Sequence, residues 1–241
     1  MDEFKRVFDV TGYPLSMITW FAVTGGRSRG LTDDFYGVPI IKVPEIKAIG
    51  RGGLFLAGEE RALVVSAGSG TAMITAKDKS YDHVTGSAVG GGTLQGLGKL
   101  LLNTVDPLQL DAMALQGDAN KADITLKEAT GGQLGKLPAD ANAVNFGRSA
   151  RVNGVEITPN DIAAGLVRMV GQVISVIAIN AAKAERLNKI IFIGHLLDMV
   201  SVQEVLKSVA RYYGAKFIFP HSPGLGTAYG ALLEAEDYFR T

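Results

Sequence analysis

The sequence contains no cysteine, one tryptophan and three histidines among its 241 residues. The absence of cysteine excludes disulfide bridges, thiolate nucleophiles and zinc–thiolate sites. The histidines, His83, His195 and His221, are far apart and do not show the paired spacing of metal ligands on one helix face. We therefore expect no metal site built from protein side chains.

The sequence also lacks net charge, because 24 basic residues balance 24 acidic ones. This balance gives no electrostatic reason to expect a nucleic acid or an anionic membrane as a partner. The longest apolar segment, residues 162–182, is interrupted by polar side chains, so we interpret it as a buried helix. The first residues lack the apolar stretch of a signal peptide. We expect a cytoplasmic protein that binds neither nucleic acid nor membrane.

Glycine, in contrast, is abundant, with 30 residues that fall in clusters. Residues 18–56 show a strand, a glycine turn, a helix, a second strand, a proline and a glycine-rich helix. Residues 189–238 repeat this order. Before the second copy, three strands follow one another closely over residues 61–89, and a helix begins near residue 93.

This order of elements is typical of an α/β ribonuclease-H-like lobe, and two such lobes across a cleft form the actin-like ATPase architecture. We therefore predict an actin-like ATPase fold with two lobes. Residues 1–60 are interpreted as the remnant of a first lobe that is incomplete at its amino terminus. Residues 61–241 are interpreted as a complete second lobe with a helical insertion at about 104–160.

The first candidate site is the turn Gly-Ser-Gly-Thr at residues 68–71, between two predicted strands. Glycine lets backbone amides approach a phosphate closely, and Ser69 and Thr71 add hydroxyl donors. An ordinary hairpin turn has the same composition, so the segment alone leaves both interpretations open.

A second candidate is the run Gly-Gly-Gly-Thr-Leu-Gln at residues 90–95, where a strand leads into a helix. The amino terminus of a helix offers unpaired amides and the positive end of the helix dipole, which together favour anions. A tight packing turn is the alternative. The second glycine turn upstream favours phosphate binding.

Two single residues complete the candidates. Glu45 follows Pro44 just after a predicted strand, where a carboxylate can accept the proton of a substrate hydroxyl. A solvated carboxylate at a helix start is the common alternative. His195 follows Gly194 at the end of another predicted strand and can line a nucleotide pocket.

Taken together, these segments resemble the type II pantothenate kinases. The glycine-triplet helix and an Asn-Phe-Gly motif are fairly specific in combination, and the matches follow the family's order over nearly the whole chain. The matching segments are residues 23–26, 43–45, 68–71, 90–98, 116–118, 143–147, 191–194 and 226–231.

The resemblance implies an enzyme that uses ATP and Mg²⁺ to phosphorylate the terminal hydroxyl of pantothenate, or of an analogue, at the start of coenzyme A synthesis. It implies Glu45 as the catalytic base and His83 at the substrate-contacting position. The family is typically dimeric, so we expect a homodimer. With the residues of both glycine turns, the nucleotide-binding positions are Gly68, Ser69, Gly70, Thr71, Gly90, Gly91, Gly92, Thr93, Leu94, Gln95, Gly194 and His195.

Two features depart from the family pattern. The family's opening hairpin, which holds the ATP phosphates, has no match in this sequence, so we expect very slow turnover of ATP or none at all. The family's pantothenate-contacting arginine aligns with His83, which is shorter and often neutral and so binds a carboxylate less well. These departures leave a non-catalytic protein that binds nucleotide or acyl-CoA as the alternative. A sugar or N-acetylglucosamine kinase is a third possibility, but its Asp-containing motif has no match.

Overall fold

The computed structural model describes residues 2–151 and 156–240. The helices are α1 Asp2–Thr11, α2 Glu45–Ala57, α3 Gly91–Leu102, α4 Pro107–Gln116, α5 Leu126–Thr130, α6 Pro159–Ala184, α7 Val200–Tyr213 and α8 Gly226–Arg240. The strands are β1 Phe21–Val23, β2 Asp34–Phe35, β3 Val38–Lys42, β4 Arg61–Ala67, β5 Thr71–Lys77, β6 Ser80–Ser87, β7 Ile124–Thr125, β8 Asn142–Val144, β9 Lys189–Ile193 and β10 Lys216–Ile218.

The larger sheet has five strands in the order β10-β9-β4-β5-β6. Strands β10, β9 and β4 are parallel, while β4, β5 and β6 form the antiparallel meander that the sequence predicts. Side chains alternate between the two faces, as they must in a strand. Leu63 and Val65 of β4 join a core with α6 and α7, whereas Val64 faces a core that contains Ile49 of α2.

The smaller sheet has three strands in the order β1-β3-β2. Strands β1 and β3 are parallel, and Val23 lies opposite Lys42 in their register. Ala22 and Ile41 of this sheet pack against Ala231 and Ala235, which belong to the distant helix α8. Each sheet is therefore covered by a helix from the other half of the chain, because α2 packs on the larger sheet and α8 on the smaller one.

Helices α2 and α8 cross at glycines. A Cβ atom on Gly52 would lie 1.8 Å from the carbonyl oxygen of Gly226, and one on Gly230 would lie 1.8 Å from that of Ala48. The two backbones are thus in direct contact. Arg51 secures the crossing, since its guanidinium donates to a carboxylate oxygen of Glu234 at 3.0 Å and to one of Asp237 at 2.7 Å. Burial opposes the charged form of Arg51, but these bonds raise its pKa.

The segment between α3 and α6 contains α4, α5 and the two-stranded ribbon β7-β8. It ends at the cap of α6, where the amide of Asp161 donates to Oγ1 of Thr158 and the carboxylate of Asp161 accepts from the amide of Thr158. Burial opposes ionisation of Asp161, but the bonds that its carboxylate accepts from the amides of Asp118 and Thr158 and from the Thr158 hydroxyl lower its pKa. The sequence itself signals this helix start, with a capping threonine at Thr158, Pro159 in the first turn and Asp161 at the third helical position.

Helix α6 is the one helix in the described part of the chain that is long and apolar enough to cross a membrane. Its apolar side chains, including Leu166, Val170 and Ile174, lie in the core against the larger sheet and α7. The interpretation of this segment as a buried helix is therefore confirmed.

Ser175 lies in the buried face of α6 with 0% exposure, and its hydroxyl has no hydrogen-bond partner among the described residues. Ser175→Ala removes an unsatisfied polar group and raises helix propensity, so we expect about 1 kcal/mol of added stability in urea unfolding. Ser201→Ala is the control, because that hydroxyl donates to Asp111 and its loss is expected to destabilise by about 1–2 kcal/mol. A destabilised Ser175→Ala protein would show that the hydroxyl has a partner.

The predicted helices and long strands are confirmed, with boundaries shifted by a few residues. The short strands β2, β7 and β8 were not predicted. The division of the chain into lobes at residue 60 stays a prediction, and α2, which precedes that point, packs on the larger sheet.

Candidate functional site

A cavity of about 300 Å³ lies at the carboxyl ends of β4 and β9, which is the edge where open α/β sheets bind ligands. The two glycine-rich segments line it from one side and the segment after β9 lines it from the other. Its lining residues are Gly68, Ser69, Gly91, Gly92, Leu94, Gln95, Pro107, Leu110, His195, Leu196 and Met199. Seven of the twelve residues expected to bind nucleotide thus share one cavity.

The hairpin turn at 68–71 is bonded directly to the start of α3. The amide of Gly91 donates to the carbonyl of Gly68 at 2.7 Å, and the amide of Gly92 donates to that of Ser69 at 2.9 Å. The expectation that the first amides of this helix are unpaired is therefore wrong for Gly91 and Gly92. The carbonyl groups that accept from these two amides belong to the hairpin turn, which is far away in the sequence. The rule that the first amides of a helix lack partners within the helix does not predict such long-range acceptors.

Other amides at this junction remain available to a ligand. Within residues 2–151 and 156–240, no protein acceptor lies in hydrogen-bond reach of the amides of Ser69, Gly70 and Thr93. The hydroxyl of Ser69 is likewise without a protein partner in this part of the molecule. Backbone amides and a hydroxyl are common ligands of phosphate oxygens, so the junction still offers an anion site.

Gly90 makes this junction possible. A Cβ atom at this position would lie 2.7 Å from the carbonyl oxygen of Ser69 and 2.8 Å from Cα of Gly70. Any side chain would push the hairpin away from the helix. The absence of a side chain at Gly90 is therefore required by close packing and holds the two glycine-rich segments together.

The opposite wall begins at Gly194, which has a φ of +103° that favours glycine. The next residue, His195, lies 2.9 Å through Nδ1 from a carboxylate oxygen of Asp198. Its ring packs over Gly224, where a Cβ atom would lie 2.4 Å from Nδ1. The His195 ring therefore contacts Asp198 and Gly224 at the rim of the cavity, and 77% of its side chain is exposed.

An apolar wall formed by Pro107, Leu110, Leu196 and Met199 was not predicted from the sequence. It depends on the position of α4, which Asp111 bonds to the start of α7. The carboxylate of Asp111 accepts hydrogen bonds from the amides of Val200 and Ser201, at 3.1 and 2.8 Å. Asp111 therefore caps the start of α7, because Met199, the residue before this helix, makes no side-chain cap bond. The Asp-Pro pair at 106–107 signals the start of α4 but not where the helix packs.

Glu45 lies in a different cavity, of about 460 Å³, at the carboxyl ends of β1 and β3. It is the first residue of α2 and is exposed. This second cavity shares no lining residue with the first among those described. The residues that line the second cavity are Gly25, Gly26, Ser28, Arg29, Lys42, Val43, Pro44, Glu45 and Ile46.

Several expected residues line neither cavity. The hydroxyl of Thr71 is buried and donates to the carbonyl of Val89 at 2.9 Å, and that of Thr93 donates to the carbonyl of Ala88 at 3.1 Å. The Thr71 hydroxyl therefore holds the hairpin and is not available as a phosphate donor. His83 is exposed on β6, the outermost strand of the larger sheet, and lies outside both cavities. Gly70, Gly90 and Gly194 lie next to lining residues.

The described residues contain no group of three His, Asp or Glu side chains that could hold a metal ion. The predicted kinase activity does not require such a cage, because Mg²⁺ is commonly held by substrate phosphates, water and one or two carboxylates. The amides and hydroxyl at the glycine junction are compatible with a nucleotide that arrives with its magnesium ion.

Solved structures with a similar backbone establish the fold. The activator of 2-hydroxyisocaproyl-CoA dehydratase from Clostridium difficile, solved with bound ADPNP, has a TM-score of 0.66 and 17% identity over 98% of this chain and 80% of that one. Component A of (R)-2-hydroxyglutaryl-CoA dehydratase from Acidaminococcus fermentans also has a TM-score of 0.66, with 14% identity and coverages of 99% and 83%. The chain has the two-lobed actin-like ATPase fold.

Sequence relatives define the family. The Fumble family model matches residues 61–234. The type II pantothenate kinase of Bacillus cereus is 30% identical over 225 residues, which cover 90% of this chain and 82% of that protein. The type II pantothenate kinase of Oceanobacillus iheyensis is 31% identical over 232 residues, with coverages of 92% and 84%. The chain belongs to the Fumble family of type II pantothenate kinases.

Proposed function

We propose that this protein transfers the γ-phosphoryl group of ATP to the terminal hydroxyl of pantothenate, the first step of coenzyme A synthesis. The relatives that bear this name support the reaction and its substrate. The observation that carries the proposal is the cavity in which the hairpin turn, the start of α3 and His195 meet at the ends of β4 and β9.

In this proposal the cavity of about 300 Å³ binds ATP. Leu94, Leu110 and Met199 provide apolar surface for the adenosine, and His195 borders it. Ser69 lines this cavity, and its amide and hydroxyl bind the phosphates, where fixed donors neutralise charge that develops during transfer. Mg²⁺ accompanies the phosphates and neutralises further charge.

Glu45 is proposed as the base that acts on the acceptor. Its carboxylate takes the proton of the pantothenate hydroxyl, the hydroxyl oxygen bonds to the γ-phosphorus, and the bond from that phosphorus to the bridging oxygen of ADP breaks. The support for this role is that Glu45 is the first residue of α2 and follows β3, at the carboxyl end of the parallel pair β1 and β3.

We further propose that the protein is a cytoplasmic homodimer. The typical dimeric state of the family supports the dimer. Sedimentation at micromolar concentration tests the dimer, and a monomer mass at all concentrations would contradict it.

A coupled assay of ADP release with Mg²⁺, ATP and pantothenate tests the reaction, with calorimetry of ADPNP and pantothenate in parallel. Phosphorylation of pantothenate at any rate above a no-enzyme control supports the proposal, and the rate shows whether turnover is slow. Binding of ADPNP without turnover would favour the non-catalytic alternative. Binding of neither compound would overturn the proposal.

Gly90→Ala tests the nucleotide cavity. The added Cβ would collide with the hairpin, at 2.7 Å from the carbonyl oxygen of Ser69, and separate the turn from α3. We expect a cost of about 1–3 kcal/mol in stability and about a tenfold weaker affinity for ADPNP in calorimetry.

Gly96→Ala, in the same helix, is the matched control. A Cβ atom at Gly96 meets no heavy atom within 4 Å, so this variant is expected to bind ADPNP normally and to gain up to about 1 kcal/mol of stability. Equal ADPNP affinity in both variants would show that the junction does not form part of the nucleotide site.

A further inference from the structure

The cavity that contains Glu45 also contains a cation with no assigned role. Arg29 lines this cavity of about 460 Å³. The residue is exposed, and within residues 2–151 and 156–240 no carboxylate forms an ion pair with it. Its guanidinium is therefore available to an anionic group in the cavity.

The backbone holds Arg29 at this position. The segment after β1 turns at Gly25, which has a φ of +91°, and enters a short helix over residues 26–30. Ser28 is buried and secures this turn, because its hydroxyl and its amide both donate to the carbonyl of Gly25, at 2.7 and 3.0 Å. The parallel register of β1 and β3 then brings Arg29 and Glu45 to the same sheet edge.

The other candidate cations are less suited to this role. Lys42 lines the same cavity, but its ammonium group donates to a carboxylate oxygen of Asp33 at 2.9 Å. His83 lies on the outermost strand of the larger sheet and does not line the cavity. Arg27 shares the short helix with Arg29 but does not line the cavity either.

We propose that Arg29 binds the carboxylate of the acceptor while Glu45 acts on its hydroxyl. This assignment rests on the proposed function and specifies its substrate class as small hydroxy acids. A planar guanidinium pairs with a carboxylate through two parallel hydrogen bonds, so it provides both charge and orientation. The assignment gives the chain a carboxylate ligand in place of the arginine that its family has at the position of His83.

Calorimetry in the presence of ADPNP and Mg²⁺ tests this assignment without requiring turnover. The ligands are pantothenate and pantothenol, in which a hydroxymethyl group replaces the carboxylate. We expect Arg29→Ala to weaken the binding of pantothenate by about 10- to 100-fold, because a hydrogen-bonded charge pair is lost. The affinity for pantothenol is expected to stay unchanged. Arg27→Ala is the control and is expected to leave both affinities unchanged.

Three results would overturn the assignment. Equal losses for pantothenate and pantothenol in Arg29→Ala would show that the residue does not act on the carboxylate. An unchanged pantothenate affinity in Arg29→Ala, with a loss in Lys42→Ala or His83→Ala, would assign the role to that residue. If the unsubstituted protein binds ADPNP but not pantothenate, both this assignment and the proposed acceptor are wrong. If the unsubstituted protein binds pantothenate and Arg29→Ala does not weaken that binding, only the assignment of Arg29 is wrong and the proposed function is unaffected.

Discussion

Glu45→Gln is expected to lower kcat for the phosphorylation of pantothenate by about 10²- to 10⁴-fold, the range typical for loss of a general base. Glutamine keeps the size and polarity of the side chain but cannot take the hydroxyl proton. The KM values for ATP and pantothenate are expected to change little, because the amide still occupies the same place. Steady-state kinetics by ADP release measure this result relative to the unsubstituted chain.

Glu60→Gln is the matched control, since Glu60 is also exposed and lies outside both cavities. Glu45 is in the first turn of α2, where a negative charge contributes about 0.3–1 kcal/mol to helix stability. Urea unfolding of both variants therefore accompanies the kinetics. A Glu45→Gln enzyme that keeps most of its kcat would rule out Glu45 as the base.

Gly230→Ala is expected to reduce the free energy of unfolding by about 3 kcal/mol, at the upper end of the typical cost of overpacking. The new Cβ would lie 1.8 Å from the carbonyl oxygen of Ala48, which is backbone and cannot rotate away. Helices α2 and α8 must therefore separate, and both sheets lose part of their cover. Urea and thermal unfolding measure the loss.

The ion pairs of Arg51 provide a comparison at the same crossing. Arg51→Met removes the bonds to Glu234 and Asp237 without placing an atom between the backbones, and Asp237 is half exposed. This change is expected to cost less, about 1 kcal/mol. If Gly230→Ala were no more destabilising than Arg51→Met, the direct contact of the two helices would be wrong.

The sequence predicts those parts of the fold that depend on neighbouring residues. The meander β4-β5-β6 shows as short apolar runs broken at Gly68 and Lys77, and the cap at Thr158 has its complete signature within four residues. Strands β2 and β7 have two residues each, which is too short for any periodicity to be detected.

In the candidate site, too, the sequence predicts the features that depend on neighbouring residues. Glycine runs at strand ends mark the two segments that line the cavity. The pairing of Gly91 and Gly92 with the hairpin was not predictable, because donor and acceptor are far apart in the sequence. The apolar wall was missed for a similar reason, since the position of Leu110 depends on the long-range bonds of Asp111 to the start of α7.

The repeat suggested by the sequence has a clear counterpart in the backbone. Gly25 and Gly194 each follow a parallel strand, have φ values of +91° and +103°, and lead into a short helix. The two halves therefore turn the chain in the same way at equivalent places. The repeat does not predict that the last helix of each copy packs on the sheet of the other copy. Helix α2 packs on the larger sheet and α8 on the smaller one.

This exchange affects how the protein forms during synthesis on the ribosome. The strands of the smaller sheet are made early, but the side chains of Ala22 and Ile41 are covered by α8, the last helix of the described chain. Domains generally fold as units in the order in which they emerge from the ribosome. We therefore expect this face of the nascent sheet to stay open to water until α8 has left the exit tunnel, an interval in which chaperones can bind it.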